Sequence, residues 1–207
     1  MNMNAEAFIS HVAVPIEEAI KARLQDKARL IVAIDGRCAS GKTTLGRHLQ
    51  QRLECVLFHM DDFFLRPEQR TPERLSVPGE NVDHERFLDE VLLPFKLAHP
   101  FSYRPYDCHT QSFKPPITVK PTTIAIVEGA YACHPLLAPY YDLRVMLDVN
   151  ADAQMQRILL RNGKKAAEVF QSRWIPLEEA YFKTLHTATV FDLYFNTSFE
   201  NTKGTPS

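Results

Sequence analysis

The chain lacks a charge excess of either sign. Its 24 Lys and Arg stand against 25 Asp and Glu, a net charge of -1 over 207 residues. No bulk field therefore draws it to nucleic acid or an anionic membrane, and any anionic ligand must be held by local groups. It also lacks a CxxC pair or any metal-ligand spacing among its four cysteines, Cys38, Cys55, Cys108 and Cys133, a pattern that fits unpaired thiols in a reducing compartment. Long hydrophobic runs are missing too. Near the N-terminus Glu6, His11, Glu17 and Glu18 interrupt the apolar residues, which argues against a signal peptide or membrane span there and leads to the expectation of a cytoplasmic protein. There is no internal repeat, no low-complexity tract and no NKxD tetrapeptide of the kind that reads guanine.

What is present is a complete phosphate-binding pattern. Gly36-Arg37-Cys38-Ala39-Ser40-Gly41-Lys42-Thr43 fills GxxxxGKT, with Thr44 following. The apolar run Leu30 to Ile34 before it reads as a buried strand, and Leu45, Leu49 and Leu53 after it have helical spacing. In a Gly-rich turn the backbone N-H groups can ring a polyphosphate, and the positive end of the following helix points at the same anion. Lys42 would reach the β- and γ-phosphates, and the Thr43 hydroxyl can ligate Mg²⁺. Binding of a nucleoside triphosphate, with ATP and Mg²⁺ as the cofactors, is the first inference.

A hydrophobic content of 45% over this length supports one α/β domain. Apolar runs at Leu30 to Ile34, Cys55 to His59, Thr123 to Val127, Leu143 to Val149 and Val190 to Phe195 predict five strands. Helices are expected at Lys42 to Arg52, Asp83 to Ala98, Asp152 to Asn162 and Leu177 to Thr187. That alternation predicts a five-stranded parallel sheet with helices on both faces. Residues 1-28 read as an N-terminal helical extension interrupted by Pro15, residues 29-199 as the main domain and residues 200-207 as a loose tail. Arg66 to Asn81, rich in Pro and charge, reads as a long surface loop, and Pro100 to Pro121 as a small hairpin arm.

In an open parallel sheet, ligands gather beyond the carboxyl ends of the strands. Asp61 and Asp62 follow the second strand, Glu128 ends the third, and Asp83 opens a helix. Phosphoryl transfer needs a carboxylate that accepts the proton of the attacking hydroxyl and others that hold Mg²⁺; spacing alone does not choose between Asp61 and Asp62. Arg157, Arg161 and Arg173 flank a hinge at Asn162-Gly163-Lys164-Lys165; they either close over a triphosphate as a helical lid or form a solvated basic face. Tyr103, Arg104, Tyr106, Asp107 and His109 either line an acceptor pocket or pack within the arm. Phe63, Phe64 and Trp174 read as packing residues, and Cys38 as a small residue at a variable loop position.

These stretches together resemble the uridine kinase and nicotinamide riboside kinase family of P-loop kinases, from about Arg29 to Thr197. His59-Met60-Asp61-Asp62-Phe63-Phe64 is similar to that family's segment bearing the catalytic aspartate, Asn81-Val82-Asp83-His84 to its ribose-binding Asn-x-Asp-His, Tyr106-Asp107 to its substrate hairpin, Val127-Glu128-Gly129 to its acidic strand end and Arg157 to Arg161 to its lid helix. The resemblance implies the P-loop nucleotide kinase fold with a substrate arm and lid. It makes Asp61 the general base and a metal neighbour, Lys42 and Arg161 its catalytic partners, Thr43 and Glu128 the magnesium partners, and Asp83 the ribose ligand. Asp62, Tyr106, His109 and Arg173 are the further substrate candidates. Where uridine kinases carry a base-contacting His, this chain has Gln111. Arg173 to Leu177 looks closer to the nicotinamide riboside kinase branch, and the tyrosine arm to the uridine kinases. The implied activity is transfer of the ATP γ-phosphate to the 5′-hydroxyl of a uridine- or cytidine-like nucleoside. Nicotinamide riboside, pantothenate or a sugar phosphate are the alternative acceptors, and a regulatory NTPase switch is the alternative of another class. The partner is a small molecule, and the sequence leaves a homo-oligomer open.

Overall fold

The computed structural model describes residues 5-185 and 191-198. Nine strands and eight α-helices occur among them: α1 Ala5–Arg23, β1 Leu30–Gly36, α2 Lys42–Leu53, β2 Val56–His59, α3 Pro72–Leu75, α4 His84–Phe87, α5 Leu93–Lys96, β3 Phe101–Tyr103, β4 Tyr106–Asp107, β5 Ser112–Phe113, β6 Ile117–Val119, β7 Ile124–Glu128, β8 Leu143–Asp148, α6 Ala151–Asn162, α7 Lys164–Val169, α8 Ile175–Thr184 and β9 Leu193–Asn196. Five strands form one parallel sheet in the order β2-β7-β1-β8-β9. This is the expected α/β fold.

Strand periodicity explains how the sheet is covered. Leu30, Val32 and Ile34 of β1 face one side and pack with Val12, Ile16 and Ile20 of α1 and Leu45 and Leu49 of α2. Ile31 and Ala33 face the other side, where Phe87, Val91 and Phe95 meet Tyr181 and Phe182 of α8. Both faces are thus buried, as a parallel sheet requires.

Several boundaries differ from the sequence expectation. Pro15 does not interrupt the first helix, which runs unbroken from Ala5 to Arg23. A proline removes one backbone bond, but Val12, Ala13, Ile16 and Ile20 on either side are fully buried, and that burial carries the helix through. The expected loop 66-81 contains a turn of 3-10 helix at Pro67–Gln69 and the short helix α3, which is capped by the Thr71 hydroxyl accepting from the Arg74 amide. The helix expected over Asp83 to Ala98 is present with a π-helical turn at Leu88–Leu92. The segment after Gly163, read as a hinge, returns at once to helix as α7, and a second π turn at Phe170–Trp174 joins it to α8. The arm over Pro100 to Pro121 consists of two antiparallel pairs, β3 with β6 and β4 with β5. The expected last helical residues to Thr187, the start of the last strand at Val190 and the tail 200-207 lie outside the described residues. No helix among the described residues is long and apolar enough to cross a membrane.

Candidate active site

The carboxyl end of β1 turns sharply into α2. Gly36 has φ +148, and a Cβ there would lie 2.1 Å from the Leu147 carbonyl oxygen of the neighbouring strand, so only glycine fits. Gly41, at φ 101, caps α2 in the left-handed region. The amides of the first helical turn therefore have no acceptor within α2 and are left for a ligand. Ser40 adds a buried hydroxyl that has no partner among the described residues.

Sheet register then brings the chemistry together. Glu128, the last residue of β7, lies opposite Ile34 of β1 and His59 of β2. Its carboxylate accepts from the Thr43 hydroxyl at 3.1 Å and pairs with His59 Nδ1 at 2.5 Å. That bond holds the His59 pKa above its ordinary value. Two hard oxygen ligands, one from a strand end and one from the first turn of α2, fit the donor set Mg²⁺ prefers. Lys42 Nζ donates to the carbonyls of Gly36 and Arg37 at 2.7 and 2.8 Å, folded back over the loop it follows.

A cavity of about 990 Å³ opens above this edge. Of the residues singled out from the sequence, it is lined by Cys38 to Thr44, Asp61, Glu128, His109, Arg157, Arg161 and Arg173. Asp61 sits in a 3-10 turn rather than on a strand, so strand alternation does not govern it or Asp62. Its carboxyl is raised from the ordinary range by the protein around it and then by the nearby Glu128. Arg157 ties α6 to the loop by donating to the Ala39 carbonyl at 3.2 Å, and burial lowers its pKa. Arg161 donates to Asn162, and the Arg173 guanidinium lies 4.6 Å over the Trp174 ring.

Other expected site residues lie elsewhere. Gly36 is buried beneath the loop, and Arg37 turns away to Asp148 at 2.6 Å and to Glu179, beside a separate hollow of about 410 Å³. Asp83 is outside the cavity lining. It caps α4 by accepting from the Arg86 amide, takes a hydrogen bond from Gln69 Nε2 at 2.9 Å and faces the guanidinium groups of Arg66 and Arg86. Tyr106 is buried in the arm against Phe113. Asp62 also falls outside the lining, its backbone carbonyl accepting from Arg86. Among the residues expected to pack, Phe63 does so, under the Arg86 guanidinium at 4.1 Å, whereas Phe64 and Trp174 line the cavity.

Three residues have a place in the site that the sequence alone does not assign. His59 stands in the segment bearing the catalytic aspartate, and the pairing of β2 with β7 sets it against Glu128. Asn81, the first residue of the Asn-x-Asp-His stretch, lines the cavity and donates to the Tyr131 hydroxyl at 3.0 Å. Glu178 of α8, 4% exposed, accepts from the Cys38 amide at 2.9 Å. Burial raises its pKa and, with Glu178 beside it, pushes the Cys38 thiol up to about 12, so Cys38 is no thiolate at neutral pH. Below the loop Asp35 is fully buried and accepts from the Gly36 and Cys133 amides and the Tyr181 hydroxyl. Burial nevertheless raises its pKa to about 6.

No protein-family model matches the chain. Among curated proteins it is similar to the uridine kinase of Oceanobacillus iheyensis, 30% identical over 155 residues that cover 69% of this chain and 72% of that one. The uridine kinase of Anoxybacillus flavithermus is 28% identical over 158 residues, 70% and 73% of the two chains. Among solved structures, one described as a possible uridine kinase from Bacillus stearothermophilus superposes with a TM-score of 0.63 at 23% identity, over 88% of this chain and 100% of that one. D-glycerate 3-kinase from Cryptococcus neoformans superposes with a TM-score of 0.65 at 15% identity, over 96% and 98%. The two structures share the fold. With the phosphate loop, the acidic strand end and the curated relatives in agreement, the chain is an ATP-dependent P-loop kinase and belongs to the uridine kinase family.

Proposed function

We propose that the protein transfers the γ-phosphate of ATP, with Mg²⁺, to a primary hydroxyl of a nucleoside-sized small molecule. The observation that carries this reading is the Asp61 carboxylate, which opens into the same cavity as Lys42, Thr43 and Glu128. Thr43 and Glu128 would hold Mg²⁺, which supplies neutralisation of charge on the phosphate oxygens. Asp61 accepts the proton of the acceptor hydroxyl as that oxygen attacks phosphorus. Its pKa, raised by the protein around it and by Glu128, makes it a stronger base than an ordinary aspartate. Lys42 leaves its two loop carbonyls and turns to the phosphates. Arg157, Arg161 and Arg173 face the transferring group, and the wall from Ala166 to Trp174 excludes water that would otherwise take the phosphoryl group.

The relatives named uridine kinase make the 5′-hydroxyl of uridine or cytidine the first acceptor to try, and Phe64, Tyr131, Phe170 and Trp174 offer flat aromatic walls. Asp83, which the family resemblance offers as ribose ligand, is already engaged by Gln69 and Arg86. Nicotinamide riboside, pantothenate and sugar phosphates complete the panel. Asp61→Asn is expected to keep ATP binding and to lose turnover by about a hundredfold to ten-thousandfold, read by ADP release and by the phosphorylated product. Near-normal turnover in that variant, or hydrolysis with no phosphorylated acceptor, would sink the proposal.

A further inference from the structure

Arg70 stands out among the arginines of the 66-81 excursion: it lines the cavity and the others do not. Its neighbours on the 66-81 excursion are each matched to carboxylates: Arg66 to Glu68 and Asp83, and Arg74 to Glu80 and Glu85. Arg86, just beyond, faces Asp83 and Glu90. Arg70 pairs with no carboxylate among the described residues. Its Nε donates to the Leu65 carbonyl at 2.9 Å and one Nη to the Cys108 thiol at 3.8 Å. A guanidinium carries five N-H donors, so three remain. The side chain is half-buried and lines the cavity with Asp61, Cys108 and His109.

Its contacts differ from those that hold the phosphate loop. The loop is held by Lys42 and by the α6 residues Gln154 and Arg157, which bond the Cys38 and Ala39 carbonyls. Arg70 instead comes from the excursion after β2 and touches the arm through Cys108, a thiol that feels the charge of Asp61. The apolar wall there is Phe64, Leu65 and Leu75. A ribose diol would need a carboxylate or amide acceptor here; Asp83 lies outside the cavity lining with Gln69 and Arg86 on its carboxylate, and the amide on the wall, Asn81, donates to Tyr131. A partly desolvated fork of unspent guanidinium donors instead suits a planar or tetrahedral oxyanion, which it can grip bidentately.

We propose that the acceptor of this kinase carries a carboxylate or phosphate group close to its reacting hydroxyl, and that Arg70 is the residue that reads it. The proposal rests on the kinase reading above and narrows its acceptor panel to the anionic members. Such an acceptor docks with its oxyanion on Arg70, which fixes the distance and direction of the hydroxyl toward Asp61. An uncharged alcohol of the same shape leaves the guanidinium donors without an acceptor in a confined site, the situation in which polar recognition discriminates most.

The test is a calorimetric titration of MgADP-loaded protein with matched pairs: glycerate and glycerol, pantothenate and pantothenol, fructose 6-phosphate and fructose, with uridine as the neutral nucleoside. In at least one pair the anionic member is expected to bind roughly tenfold to hundredfold tighter, and whether that pair is a carboxylate or a phosphate identifies the group. Arg70→Gln is expected to erase this difference while leaving the neutral member and ADP unchanged, and Arg70→Lys to restore part of it. Tighter binding of uridine and of the neutral members would overturn the proposal. So would an Arg70→Gln variant that weakens both members of a pair alike, because that marks Arg70 as a support for the loop. An anionic molecule that binds through Arg70 but yields no phosphorylated product when MgATP replaces MgADP counts against the kinase reading and leaves the anion subsite supported.

Discussion

Glu128 shows how much one side chain can be asked to do. It is 4% exposed, it orders the Thr43 hydroxyl, and it is itself oriented by His59. A ligand held from both sides keeps its lone pairs aimed at one point, which is how an oriented carboxylate gains metal affinity. Glu128→Gln is expected to raise the Mg²⁺ concentration for half-maximal rate by roughly tenfold or more, with ATP-independent acceptor binding unchanged. An unchanged Mg²⁺ titration would remove Glu128 from the metal site. The sequence made this residue visible because a carboxylate at the end of an apolar run, next to glycine, has few structural reasons to be there. Its partner His59 stayed hidden. Nothing in a linear chain says that β2 and β7, some seventy residues apart, lie side by side.

At the scale of elements, the phosphate loop is clamped by two helices. From α6, Gln154 and Arg157 donate to the Cys38 and Ala39 carbonyls, while Glu178 of α8 accepts from the Cys38 amide. Glu178→Ala leaves that amide without its acceptor. The expected loss is about 1-3 kcal/mol of unfolding free energy, measured by urea denaturation, whereas Glu178→Gln keeps an oxygen acceptor and loses less. Equal losses in the two variants would deny the bond a role. The main strands were legible because a strand buried on both faces must be apolar throughout, as Leu30 to Ile34 and Ile124 to Val127 are. α7 was not legible, since Lys164, Lys165, Glu168 and Val169 lie exposed and carry no apolar stripe. α3 was masked by the prolines around it, which usually mark loops but also start helices at their first turn. For Asp83 the motif says what the carboxylate can bind and not that Gln69, Arg66 and Arg86 surround it in the fold.

For the whole molecule, two buried groups bias acid stability in opposite directions. His134 is packed against His84, with ring centroids 4.2 Å apart. Burial first, and the neighbouring imidazole second, lower its pKa to about 4. The unfolded chain binds a proton there near pH 6.5, before the folded one does, so stability falls as pH drops from about 6.5 toward 4. Asp35 works the other way. Its pKa of about 6 means that the folded state takes up a proton first, adding relative stability as pH falls from about 6 to the ordinary aspartate value. Comparing wild type with His134→Gln separates the two: between pH 7 and pH 5 the wild type is expected to lose more of its denaturation midpoint than the variant. Identical pH slopes would show that His134 titrates freely.

Helix α8 meets the nucleotide-binding edge twice within a single turn, Glu178 at the crest of the loop and Tyr181 on the carboxylate at its root. Two anchors one turn apart fix the register of that helix against the loop. The break at Gly163, with φ 78 and open space where a side chain would stand, is where the backbone leaves helix between α6 and α7. Stiffening that elbow is expected to slow the passage of small molecules without touching the chemistry.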